Sequence, residues 1–94
     1  MSPGTKVTIR LLTAPYLEVA VHLDKQIYNG QYNPMVNYQH LGGFIWRFEA
    51  GYKLTNVLPR SDKTVEMALK GLANELSISI DIEAVLLEIQ MSKA

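Results

Sequence analysis

His22, Arg10 and Arg47, with Glu18 and Glu49 beside them in the pattern, are the residues of this chain best suited to acid–base work. An imidazole titrates near neutral pH, and carboxylate and guanidinium neighbours could orient it or hold an anionic ligand. All five fall on the polar side of segments that alternate polar and apolar residues. Mixed charge on the wet face of an antiparallel sheet is the ordinary solvated arrangement. The expectation is therefore a non-catalytic chain, with a small-ligand site or enzyme built on His22, Arg10 and Arg47 as an alternative.

A second chemistry sits between residues 28 and 40, which read Tyr-Asn-Gly-Gln-Tyr-Asn-Pro-Met-Val-Asn-Tyr-Gln-His and hold no Asp, Glu, Lys or Arg. Tyrosine supplies amphipathic contact area at small entropic cost, and amides supply adaptable hydrogen bonds. Loops longer than about 12 residues are uncommon in compact domains unless they work. Tyr28, Asn29, Gln31, Tyr32, Asn33, Met35, Asn37, Tyr38 and His40 are accordingly the candidate partner-binding residues. Asn29-Gly30 favours a turn within this stretch. The Gly42-Gly43 pair that follows precedes a strand pattern and opens no helix, so it is neither a phosphate-binding loop nor a dinucleotide fingerprint.

The bulk numbers narrow the field. Nine basic residues balance nine acidic ones in 94, which leaves no overall basic excess for nucleic acid or an anionic membrane. There is no cysteine, so disulfides and thiolate metal sites are excluded. His22 and His40 are too few for a zinc site without carboxylate help, and no cofactor is expected. The N-terminal Met-Ser-Pro-Gly-Thr-Lys lacks an apolar signal region, which points to the cytoplasm, or to a host's cytoplasm for a viral product. One domain spanning 1–94 is expected, with a core thin enough that self-association would help it.

The elements that must position these residues read clearly in places. Val7, Ile9 and Leu11 alternate with Lys6, Thr8 and Arg10; after Thr13-Ala14-Pro15, Leu17, Val19, Val21 and Leu23 alternate with Glu18, Ala20, His22 and Asp24. Pairing residues whose numbers sum to 28 sets Leu11 by Leu17, Ile9 by Val19 and Val7 by Val21 on one face. It sets Arg10 by Glu18 and Lys6 by His22 on the other, and a one-residue slip would expose an apolar set. Phe44, Trp46, Phe48, Ala50, Tyr52 and Leu54 form a third alternating run, read as one strand with a bulge or bend at Gly51. Trp46, Phe44 and Phe48 could stack bases, but their alternation with Arg47, Glu49 and Lys53 turns them inward. Ser61 or Asp62 then caps a helix whose stripe is Val65, Ala68, Leu69, Leu72, Ala73 and Leu76.

The tail admits two readings. Ser77 to Ile82 alternates as a strand would, and a bulge near Glu83-Ala84 would carry the pattern on through Val85, Leu87, Ile89 and Met91. Alternatively, Asp81 caps a second helix with Ile82, Val85, Leu86 and Ile89 as its stripe. The strand is the preferred reading, giving an α+β fold of order β-β-β-α-β with one helix on the aromatic face. On either reading the apolar surplus suggests an oligomer interface through Val85, Leu86, Leu87, Ile89 and Met91. Leu72 to Ser79 also resembles the start of a helix-turn-helix DNA-binding motif, which would imply a regulator using residues 69–90. Ser77 stands where that motif usually has Gly, Glu83 takes an apolar position, and Asp81 and Glu88 put acid where a recognition helix needs donors. The leading expectation is a small interaction protein of the inhibitor or accessory-subunit type, homodimeric, recognising a protein partner through 28–40.

Overall fold

The computed structural model describes residues 6–12, 15–24, 38–49 and 51–92. They form an α+β fold: strands β1 (Lys6–Leu11), β2 (Tyr16–His22), β3 (Tyr38–Leu41), β4 (Phe44–Glu49) and β5 (Lys53–Pro59), then helices α1 (Asp62–Leu76) and α2 (Ile82–Ser92). The sheet is antiparallel between all neighbours, in the order β1-β2-β5-β4-β3. Among the described residues both helices pack on one face of it and no element covers the other.

The β1–β2 register is the one that hydrophobic parity demands, with Lys6 by His22, Val7 by Val21, Ile9 by Val19, Arg10 by Glu18 and Leu11 by Leu17. Leu17, Val19 and Val21 are fully buried, and Val7 and Ile9 pack at the edge of the same core. The run from Phe44 to Leu54, expected as one strand, is instead two. Gly51 and Tyr52 take positive φ (81° and 61°) and reverse the chain between β4 and β5. The pattern concealed this for a simple reason. Glu49 pairs with Lys53 and Phe48 with Leu54, so partners differ by an even number and inward residues stay even-numbered on both strands. An alternation that survives its own hairpin cannot report the turn. A further strand, β3, joins the sheet beyond β4 through the Gly42-Gly43 turn, with Leu41 opposite Phe44.

Helix α1 begins where the sequence places it. Ser61 is the N-cap in extended backbone, and its hydroxyl oxygen accepts the Thr64 N–H at 3.4 Å. Val65, Ala68, Leu69 and Leu72 are buried against Trp46, Phe48, Leu54 and Leu58, while Ala73 and Leu76 are half-buried. Each fully buried Leu of this set contributes roughly 1.5–3 kcal/mol. The helix ends at Ser77, held in left-handed backbone (φ 54°), and the Ile78 N–H donates to the Ala73 carbonyl at 3.0 Å. This is the reversal that a C-terminal Gly usually makes. Midway along α1, Gly71 meets the Gly42 turn backbone to backbone: a Cβ added at Gly71 would lie 2.4 Å from the Gly42 carbonyl oxygen. The missing side chain lets the β3–β4 hairpin seat on the helix.

In the tail the helix stands where the strand was preferred. Residues 78–80 form a connector outside the sheet, with Ile78 and Ile80 half-buried against the core. Asp81 then accepts the Ala84 N–H through Oδ1 at 3.1 Å, capping α2. Val85 and Ile89, four residues apart, reach the core (5% and 1% exposed), with Ile82 and Leu86 beside them. A helix sends these residues to one side and Leu87 and Met91 away, so α2 can cover β1, to which a sixth strand would only have added an edge.

Candidate partner-binding surface

The open face is built by the outward residues of all five strands, and the register fixes who stands by whom. One cross-sheet row reads Lys6, His22, Lys53, Glu49; the next Thr8, Ala20, Thr55, Arg47, Tyr38. A third carries Arg10, Glu18 and Val57 from one edge, with Ile45 and His40 paired at the other. Charge gathers in the first row and at Arg10 and Glu18. Glu49 accepts from Arg47 at 2.8 Å and lies 3.7 Å from the Lys53 ammonium. At these exposures each pair contributes about 0–1 kcal/mol. Arg10 and Glu18 are register partners without forming an ion pair.

Exposed apolar residues gather on β5, β4 and β3 of this face, with Arg47 among them. Ile45 is 61% exposed, Val57 48% and Tyr38 60%. They rim a shallow concavity of about 250 Å³ together with Arg47, Thr55 and Asn56. Thr55, 3% exposed, forms its floor and donates a hydrogen bond to the Arg47 carbonyl at 3.4 Å. Ala20, the register partner of Thr55 on β2, is also buried. Exposed apolar and aromatic residues together with an Arg are the composition enriched at protein contact surfaces.

The residues named from the sequence distribute as follows. Tyr38 and His40 stand on β3 with outward side chains, so the C-terminal end of the Tyr/Asn stretch feeds directly into the open face. Tyr28, Asn29, Gln31, Tyr32, Asn33, Met35 and Asn37, and the Asn29-Gly30 turn, lie outside the described residues. Of the expected oligomer interface, Val85 and Ile89 are spent within the chain's own core and Leu86 is half-buried, because α2 turns them inward. Leu87 (57%) and Met91 (70%) remain exposed on the outer side of α2, next to Glu83 and Glu88. Sequence reasoning missed Ile45 and Val57. Ile45 was visible as the one apolar outward residue in the Phe44–Glu49 alternation; Val57 had no signal until β5 was recognised.

His22, Arg10 and Arg47 share the open face but not a site. His22 and Arg10 are two rows apart, about 14 Å at the strand rise. Two strand spacings separate His22 on β2 from Arg47 on β4. His22 lines neither this concavity nor a smaller one between β1 and α2, bounded by Val7, Asp81, Ala84, Val85 and Glu88. Among the described residues no group of three His, Asp or Glu side chains is placed to hold a metal ion, and no helix is long and apolar enough to cross a membrane. Helix α2 carries Glu83 and Glu88 and no Lys or Arg within its bounds, the reverse of what phosphate contacts require.

Helices on one face and an open, partly apolar antiparallel sheet on the other define the class of molecule: an α+β domain with a sheet surface to spare. Comparison with protein-family models, with curated proteins and with solved structures finds no match for this chain.

Proposed function

We propose that this chain is a non-catalytic protein-interaction module, of the inhibitor or accessory-subunit type, whose contact surface is the open face of the sheet. The observation that carries the reading is the exposure of Ile45, Val57 and Tyr38 together around the Thr55 floor. A solvated sheet face is expected to alternate to polar residues at these positions. Leaving an Ile, a Val and a Tyr side by side in water has a use when a partner removes them from it. Tyr38 also follows directly in sequence on the Tyr/Asn segment 28–37, which carries the same recognition chemistry. A protein partner fits this surface better than a nucleic acid, because Glu18 and Glu49 stand among its cations and two of those cations are already paired with Glu49.

The test is affinity capture from the native host with wild-type protein and with a Tyr38→Ala, Ile45→Glu double variant, both checked by circular dichroism. Proteins retained by the wild type should be absent from the variant. Equal retention by a folded variant would overturn the assignment of this face.

A further inference from the structure

Building on that reading, we infer that the occupant of the open face is a second copy of this chain, docked sheet to sheet about a two-fold axis. Three observations lead there. The first is how charge is distributed in a chain that is neutral overall. The helical layer, with its caps, carries Asp62, Glu66, Glu75, Asp81, Glu83 and Glu88 against only Lys63 and Lys70. Two copies meeting helix to helix would bring like charge together, and the exposed Leu87 and Met91 are flanked by Glu83 and Glu88. The open face instead mixes signs: Lys6, Arg10, Arg47 and Lys53 with Glu18 and Glu49. A two-fold contact sets a surface against itself, so it favours a face that carries both signs. A strongly acidic or strongly basic partner would meet like charge on it.

The second observation concerns the sheet edges, the other common route to self-association. Edge strand β1 bears exposed Lys6 and Arg10 and is backed by α2; edge strand β3 is four residues long. Charged and short edges are the ordinary devices against strand addition. On the open face Arg47 stands among Ile45, Val57 and Tyr38, and its charge is paired with Glu49. The third is area. Five strands about 4.8 Å apart and about 20 Å long give a plan area of roughly 450 Å² per copy. Two copies bury about 900 Å² before side-chain relief is added, close to the ~1,000 Å² a specific interface must clear. Two such sheets pack about 10 Å apart, with Ile45, Val57 and Tyr38 interdigitating above Thr55 and Ala20.

The experiment is sedimentation velocity on the full chain across a concentration series, joined to single-cysteine cross-linking. The chain has no cysteine of its own, so any disulfide reports the introduced position. Wild-type protein should move from 10.6 kDa toward twice that mass as concentration rises. Ile45→Glu should raise the midpoint by at least about 100-fold, the usual effect of an unpaired charge in an interface centre. Val57→Cys should form a covalent dimer under mild oxidation, and Leu87→Cys should not. The cysteine pair decides the matter if Ile45→Glu fails to fold. Wild-type protein that is monomeric at about 500 µM, where even an affinity near 100 µM would register, overturns the inference. So does a dimer indifferent to a folded Ile45→Glu, or cross-linking at 87 in preference to 57. A monomer whose Ile45→Glu variant loses a captured partner overturns self-pairing alone and leaves the interaction surface where it is.

Discussion

Gly71→Ala distinguishes the packing argument from local propensity, because the two give opposite signs. In an exposed helix interior this substitution stabilises by about 1 kcal/mol, since Ala restricts the unfolded backbone more than Gly does. Here the added Cβ would stand 2.4 Å from the Gly42 carbonyl oxygen and 3.0 Å from both its carbonyl carbon and its Cα. These are backbone atoms of a two-residue turn and cannot swing aside as a side-chain tip would. The β3–β4 hairpin must lift from α1, and β4 carries the fully buried Trp46. Overpacking a well-filled contact costs about 1–3 kcal/mol, and a backbone obstacle belongs at the upper end. Setting about 3 kcal/mol against the propensity gain of about 1 leaves a net loss near 2 kcal/mol. For a domain of this size that lowers Tm by about 8–16 °C. Thermal and urea unfolding followed by circular dichroism would measure it, with Asn74→Ala on the exposed side of α1 as a control that should gain a few tenths of a kcal/mol. A Gly71→Ala protein as stable as wild type, or more so, would refute the close approach. Gly43→Ala is the companion: its Cβ meets nothing within 4 Å, so only its φ of +85° counts, at about 1–2 kcal/mol.

Three further outcomes are expected from the same unfolding measurements. Ile89→Ala should cost about 2–4 kcal/mol and Leu87→Ala less than about 0.5, because α2 buries the first and exposes the second; equal costs would favour a strand, which puts both on one face. Ser77→Gly should stabilise by about 1 kcal/mol by relieving left-handed backbone at the C-terminus of α1, and a loss instead would mean that the hydroxyl makes a contact that matters. Asn56→Leu should gain about 1–2 kcal/mol, since the Asn56 Nδ2 is buried without an acceptor; destabilisation would point to a bridging water that satisfies it.

The amino-acid pattern settles the pairs that parity controls. Leu11 by Leu17 and Ile9 by Val19 follow from burying one apolar set, and the start and stripe of α1 follow from Ser61 and helical spacing. It could not reveal the β4–β5 turn, because a connection that preserves parity leaves the alternation unbroken through Gly51 and Tyr52. Nor could it choose between strand and helix for the tail. Ile82, Val85, Leu86 and Ile89 satisfy a helical stripe while Val85, Leu87, Ile89 and Met91 satisfy an alternation. In the tertiary structure an uncovered part of the sheet beside β1 meets α2, and the burial of Val85 and Ile89 selects the helix. The candidate site was legible only at its margin. Tyr38 and His40 were named from the Tyr/Asn composition, but Ile45 and Val57 stand on the two strands of the β4–β5 hairpin. Their adjacency follows from that hairpin's register, and the turn that creates it is the one the alternation concealed. The charge asymmetry was legible along the chain, since residues 62–92 hold six of the nine acids and two of the nine bases; the tertiary structure adds that the remaining charges of the strands mix signs on one sheet face.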